Sequence, residues 1–223
     1  MHPVLVLPLN EGSGDIAYDR SGYNNHGTYH NVIWVKKWRD WIVFLDPDTY
    51  GTECYIDCGD DFLDVIDEFT LIIWLWTNDT TRGGTPFSYA TTHNSNEILL
   101  CDYRSLWLYF GGARVSTGVA VNDGKWHCVA WKWRSIDGKT KLLVDKEVKY
   151  EGTLQAGYTI QHGTDRRLFI GQEQDTVGGG LDVGQAFKGY IGEVLWFKKY
   201  LPDEQIIFLS SLFRGEKRSP PVF

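Results

Sequence analysis

Phe69 to Thr77 (FTLIIWLWT) is a nearly continuous apolar run. It is far shorter than the roughly 20 residues of a membrane span, and it reads as a central sandwich strand. Trp126 to Trp133 (WHCVAWKW) alternates instead, so Trp131 and Trp133 share a face with Val129. Further strand-like segments recur with turn signals between them: Val4 to Leu9, Ile33 to Leu45 with its three tryptophans, Tyr55 to Cys58, Phe87 to Ala90, Glu97 to Cys101, Leu106 to Phe110, Lys141 to Asp145, Leu168 to Gly171 and Tyr190 to Phe197. Turns fall at Asn10–Gly14, Asp19–Gly27, Gly111-Gly112 and Ser135–Lys139, the last a hairpin turn containing Asp-Gly. About twelve short strands at this spacing predict an all-β, two-sheet antiparallel jelly-roll sandwich. One short helix is expected near the end, where Leu201-Pro-Asp-Glu opens an apolar pattern and Ile206, Leu209 and Leu212 face the sheet. With no repeat or linker, residues 1–213 form a single domain and 214–223 a basic, Pro-containing tail.

The net charge of −7 argues against nucleic acid and favours solubility or cation binding. No apolar stretch approaches a membrane span, so membrane insertion is not expected. The opening Met-His-Pro-Val-Leu-Val-Leu-Pro-Leu lacks a basic region and a cleavage site, and reads as a first strand rather than a secretory signal. Cys54 and Cys58 face the same way but lie about 13 Å apart at strand rise, too far for a bridge. With Cys101 and Cys128 they match no zinc spacing, and buried reduced thiols are the simplest reading.

The chemistry concentrates in Phe169 to Gly189. Glu173, Asp175 and Asp182, with the amides of Gln174 and Gln185, fall within 13 residues around Gly178-Gly179-Gly180. Hard oxygen donors on a loop that folds back on itself suit Ca²⁺, which takes about six to eight oxygens. Asp19, Asn24 and Asn25 form a candidate second metal loop, or else an Asx turn bonded to its own backbone. Tyr103, Trp107 and Tyr109 alternate along one segment and offer a ligand-stacking surface. No catalytic arrangement emerges. The one Glu-x-Asp, Glu173-Gln-Asp175, is followed by Gly178 where a glycosidase of this fold class would need a second Glu, and there is no Gly-x-Ser-x-Gly elbow.

Thr85-Pro-Phe-Ser-Tyr-Ala-Thr-Thr-His-Asn-Ser-Asn-Glu-Ile-Leu-Leu100, Asn122-Asp-Gly-Lys-Trp-His127, and Ile170–Gly180 with Gln185–Gly192 and Leu201–Glu204 together resemble the pentraxin branch of the laminin-G/concanavalin-like jelly rolls. The amino-terminal segments Leu9–Gly14, Asp19–Gly22, Asn25–Gly27 and Tyr55–Asp61 are similar to bacterial and viral laminin-G-like jelly rolls. The resemblance implies a Ca²⁺ site made by Asn96, Glu173, the backbone carbonyl of Gln174, Asp175, Asp182 and Gln185, completed by a glycan or phosphate-bearing ligand. It also implies a non-enzymatic lectin-like module, homo-oligomeric and located outside the cell or on a virion or cell surface. Several positions depart from the pattern. Ser95 replaces an aspartate, Asp182 replaces a glutamate, Ile72 stands where a disulfide partner of Cys128 is expected, and Cys101 replaces the apolar wall of choline-binding members. The alternative is a structural or decoration protein that uses the jelly roll for assembly.

Overall fold

The computed structural model describes residues 2–37, 40–60, 65–161 and 165–212. Trp38, Asp61 and the expected tail lie outside them. In chain order the strands begin with β1 (Leu5–Leu7), β2 (Ile16–Ala17), β3 (Gly27–His30), β4 (Ile33–Lys37), β5 (Asp40–Leu45) and β6 (Tyr55–Asp57). They continue with β7 (Val65–Ile66), β8 (Glu68–Trp76), β9 (Phe87–Thr91), β10 (Ile98–Cys101), β11 (Trp107–Phe110) and β12 (Ala113–Ser116). The last are β13 (Trp126–Arg134), β14 (Lys139–Val144), β15 (Glu147–Thr153), β16 (Ile160–Gln161), β17 (Arg166–Ile170) and β18 (Gly189–Phe197). Helix α1 spans Pro47–Tyr50 and α2 spans Asp203–Leu212.

Two antiparallel sheets face each other. One runs β15-β14-β13-β8-β18-β5-β4, with β1 also on β18; the other runs β12-β11-β10-β9-β17-β6-β3-β2. Strand β18 is long enough to serve two partners on one edge. Gly189–Ile191 pair with β5, and a register shift follows before Val194–Trp196 pair with β1. Between the sheets lies the main core, with Phe69, Leu71, Ile73, Trp131 and Trp133 from one side and Phe87, Tyr89, Leu100, Phe110 and Ile170 from the other. The indole N–H of Trp133 donates to the Leu154 carbonyl at 2.6 Å, and that of Trp131 to Thr140 Oγ1 at 2.9 Å. These two indoles are thereby buried with their donors met.

Strand β8 is apolar on both faces because a second cluster covers its outer side. Ile72 and Trp74, with Cys128, Ala130 and Phe197, pack under Leu201 and Ile206 of the α2 region. Of the expected docking residues Ile206 is buried and Leu209 packs at the edge, but Leu212 is 59% exposed. Ser210 takes the inner position instead, donating to the Ile206 carbonyl and accepting from the Cys128 thiol. The register sets Cys128 opposite Trp74 and Ile72 opposite Ala130, and none of the four cysteines, all among the described residues, is in a disulfide. Ile33 to Leu45 is not one strand but the antiparallel pair β4–β5, so Trp34 and Trp41 lie on opposite arms of a hairpin, facing Val43 and Lys36.

Lys132 anchors α2. It is 2% exposed, donates to the Leu201 carbonyl at 2.7 Å, pairs with Asp203 and lies 4.3 Å from the Tyr200 ring centre. Lys132→Ala removes both the ammonium's contacts and the packing of its buried stem, while Asp203 keeps Lys141 at 3.0 Å, and it is expected to cost about 3 kcal/mol in urea unfolding. Lys132→Met, which keeps the packing volume, should cost clearly less. Equal losses would show that the packing of the Lys132 side chain contributes nothing beyond its charge.

Candidate cation site

The acidic loop is the excursion between β17 and β18, and it sits on the outer face of the second sheet. Gly171 turns the chain out of β17 at φ +91, where an added Cβ would meet Leu45 Cδ1 at 2.2 Å. Two buried glutamines then hold the path. Gln172 donates to the Thr52 carbonyl and accepts from the Glu173 amide N–H. Gln174 donates to the Ser88 carbonyl at 3.0 Å and accepts from the Gly178 amide at 2.9 Å, which folds the loop back over β17 and β9. Thr176 and Gly179 exchange backbone hydrogen bonds across the tip. Gly180 passes so close to Asp175 that a Cβ there would sit 2.7 Å from the aspartate's own.

The returning limb is held by backbone. Asp182 accepts from the Gly184 amide at 2.8 Å, while the carbonyls of Gly184 and Gln185 accept from Gly83 and Thr85. The Phe187 amide donates to the Gly171 carbonyl at 2.9 Å and closes the loop at its base. Just beyond, Asp48 bridges Lys188 and Arg82, and Arg82 reaches Asp79.

Glu173 is 2% exposed and its Oε2 has no hydrogen-bond partner. Burial, with the charges of Asp175 and Asp182 adding to it, pushes its carboxyl up to about 7. The Oδ1 of Asn96, just before β10, is likewise buried without a partner. Both orphan atoms are acceptors, and a buried acceptor without a partner costs roughly 1–3 kcal/mol. A hard cation would satisfy these oxygens, so the donor set fits calcium. Asp175 and Asp182 are exposed and Gln185 half-buried. Among the described residues, no three Asp, Glu, His or Cys groups stand together as a ready metal cluster. Mutual repulsion of like charges favours such a spread arrangement.

The Asp19 loop is arranged differently. Asp19 is buried and accepts from the amides of Val6, Ser21 and Asn25 and from the Ser21 hydroxyl, the geometry of an Asx turn. The Asn25 amide donates to the Val4 carbonyl at 2.8 Å, and Asn24 takes φ 62 on the surface.

Of the three ring residues, Tyr103 is no ligand platform. It is wholly buried, packs edge-on against Phe187 and donates to Asp79. Trp107 and Tyr109 are half-buried on the outer face of β11, with ring centres 6.3 Å apart. Between them and the loop lies Cys101, opposite Trp107, its thiol pushed up to about 12 by burial first and then by the charges of Asp102 and Glu173. Sequence reading missed Arg114, whose guanidinium lies over both rings, 5.3 Å from the Trp107 centre and 5.6 Å from that of Tyr109. Counting the register across the Gly111-Gly112 turn would have found it, because Arg114 faces Tyr109 directly.

Comparison with known proteins adds the following. Residues 50–216 match the model of the Pentaxin family. C-reactive protein of Mesocricetus auratus is 38% identical over 142 residues, 62% of this chain and 62% of that protein. The sushi, von Willebrand factor type A, EGF and pentraxin domain-containing protein 1 of Rattus norvegicus is 34% identical over 187 residues, 80% of this chain but only 5% of that protein's length. Among solved structures, the native heptameric SAP-like pentraxin from Limulus polyphemus aligns with a TM-score of 0.58 at 20% identity, covering 66% of this chain and 71% of that one. At that identity the structural likeness carries the fold alone.

Proposed function

The chain belongs to the pentraxin family, and from that premise we propose that it is a non-enzymatic recognition module that holds calcium and, through it, a carbohydrate or another anionic or polar surface ligand. The observation that carries this reading is the pair of buried, unpartnered oxygens, Glu173 Oε2 and Asn96 Oδ1. They accompany two further carboxylates whose charge reaches Glu173.

The proposed donor set is Asn96, Glu173, the Gln174 backbone carbonyl, Asp175, Asp182 and Gln185. The Gln174 side chain is already committed to the sheet, which leaves its backbone as the contribution. Calcium, when bound, supplies open coordination for ligand oxygens such as a sugar diol or a phosphate. Ser95 leaves the set one carboxylate short of the family pattern, so the affinity belongs toward the weaker end of the calcium range. The same proposal treats residues 1–213 as one domain acting outside the cell or on a surface. It also includes self-association, in keeping with the heptameric Limulus relative.

Calcium titration by calorimetry tests the reading. Wild-type protein should bind with a Kd in the micromolar-to-millimolar range. Asp175→Asn should weaken that binding by about tenfold or more, since a charged donor becomes neutral. Absence of binding heat in the wild type, or equal affinity in both proteins, overturns it. In either case an assembly insensitive to EDTA would favour a structural role.

A further inference from the structure

We propose that Asn78 is an acceptor for an N-linked oligosaccharide, a modification site at the end of the sandwich where β8 leaves its sheet. The inference rests on the extracellular part of the reading above. Of the eight asparagines in the chain, Asn78 alone opens an Asn-x-Ser/Thr triplet, Asn78-Asp-Thr80, and no proline lies within it or directly after it. A folded chain can carry a glycan there only if the acceptor amide projects into solvent. Residues 77–80 form an irregular loop in which Asn78 and Thr80 are both exposed. Neither side chain makes a hydrogen bond within the described residues.

The middle residue of the triplet is turned inward. Asp79 is buried and accepts from the Thr81 amide at 3.0 Å, from the Thr81 hydroxyl at 2.7 Å, from Arg82 at 3.2 Å and from the Tyr103 hydroxyl. The Asn122 amide donates to the Asp79 carbonyl at 3.0 Å, and the Gly124 amide to the Thr77 carbonyl at 3.0 Å. The loop is thus rooted by the residue a transferase does not read, and the two it does read are left facing water. Asn122-Asp-Gly124 opens on the same Asn-Asp pair but lacks the hydroxyl, and its amide is committed to Asp79. It serves as an internal control. The donor for the step is a lipid-diphosphate-linked oligosaccharide. Asn78 Nδ2 bonds to the anomeric carbon, and the bond from that carbon to the diphosphate oxygen breaks. The lipid diphosphate leaves with the electron pair and the amide gives up one proton, so nothing is oxidised or reduced. Further along the same connection, Gly83 and Thr85 brace the returning limb of the acidic loop, but Asn78 itself is outside the proposed calcium donor set.

The test fuses the chain to a cleavable secretory leader, expresses it in cultured animal cells, and also translates it in vitro with microsomes. The microsomal arm reads the modification whether or not the chain is exported. Wild-type protein should run as a heavier band that peptide N-glycanase collapses, with residue 78 converted to aspartate and Asn122 untouched. Asn78→Gln and Thr80→Ala should each abolish the shift, and Thr80→Ser should keep it. All three variants, once deglycosylated, should melt as wild type does, since neither side chain is bonded. A wild type that stays unshifted in microsomes, or a shift that survives Asn78→Gln, overturns the proposal. A chain modified in microsomes but never secreted upholds the acceptor and tells against the extracellular placement. Calcium binding by a chain that stays unmodified sinks the glycan alone, and a glycosylated chain without calcium binding sinks only the metal reading.

Discussion

Replacing Glu173 by glutamine is expected to remove a pH-dependent weakness from the calcium-free protein and to abolish its stabilisation by calcium. The Glu173 carboxyl is raised to about 7 in the folded chain, against the 4.5 of an unburied glutamate. Between those values the folded state holds a proton that the unfolded state has released, so stability falls as pH rises through the window. The full displacement corresponds to roughly 3 kcal/mol. For a chain of this length each kcal/mol moves the melting temperature by about 2–4 °C. In EDTA, the melting temperature of Glu173→Gln relative to wild type should therefore rise by about 6–12 °C between pH 5 and pH 8. Adding calcium at the upper pH should reverse the order, because the cation replaces the proton on wild type and finds no charge on the variant. A difference between the two proteins that does not change with pH would refute the account.

Gly189→Ala should be the most damaging single change outside the core. Gly189 opens β18 at φ +145, and a Cβ there would lie 2.1 Å from the Trp76 carbonyl oxygen and 3.1 Å from Thr77 Cβ. Neither neighbour can retreat, since Trp76 is in the central strand and pairs with both Trp126 and Tyr190. Backbone strain of about 1–3 kcal/mol adds to the clash. We expect a loss of about 4 kcal/mol or more in urea unfolding, together with weakened calcium binding, because the acidic loop ends at this residue. Gly83→Ala is the control. Its Cβ would meet only the Gly184 carbonyl oxygen at 3.9 Å, so it should change stability by no more than about 0.5 kcal/mol. Comparable losses in the two variants would reject the steric argument.

What could be read in advance follows from how local each signal is. The run through β8 and the alternation through β13 carry their burial in their own residues, and both stand where expected. The acidic loop was legible as a candidate because its oxygen donors are concentrated in a few consecutive side chains. Strand β15 escaped notice because its hairpin turns through Asp145 and Lys146, both at positive φ, without a glycine to mark it. Tyr103 carried no sign of its burial, since the partners that enclose it, Asp79 and Phe187, are distant in sequence. Leu212 fits the helical period, but Ser210 occupies the inner position because the Cys128 thiol lies there to bond it. Arg114 belongs to the same class: its place over two rings depends on the β11–β12 ladder, not on its own neighbours.

The hydrogen bond from Phe187 to Gly171 has an evolutionary consequence. It brings the exit and entry of the acidic loop together, so β17 and β18 keep their places whatever length of chain runs between. Such a loop is an exchangeable cassette. Its tip can diversify, lengthen or be grafted from a homologue while the sandwich beneath stays constant. The constraint falls on four anchors, Gly171, Gln172, Gln174 and Gly189.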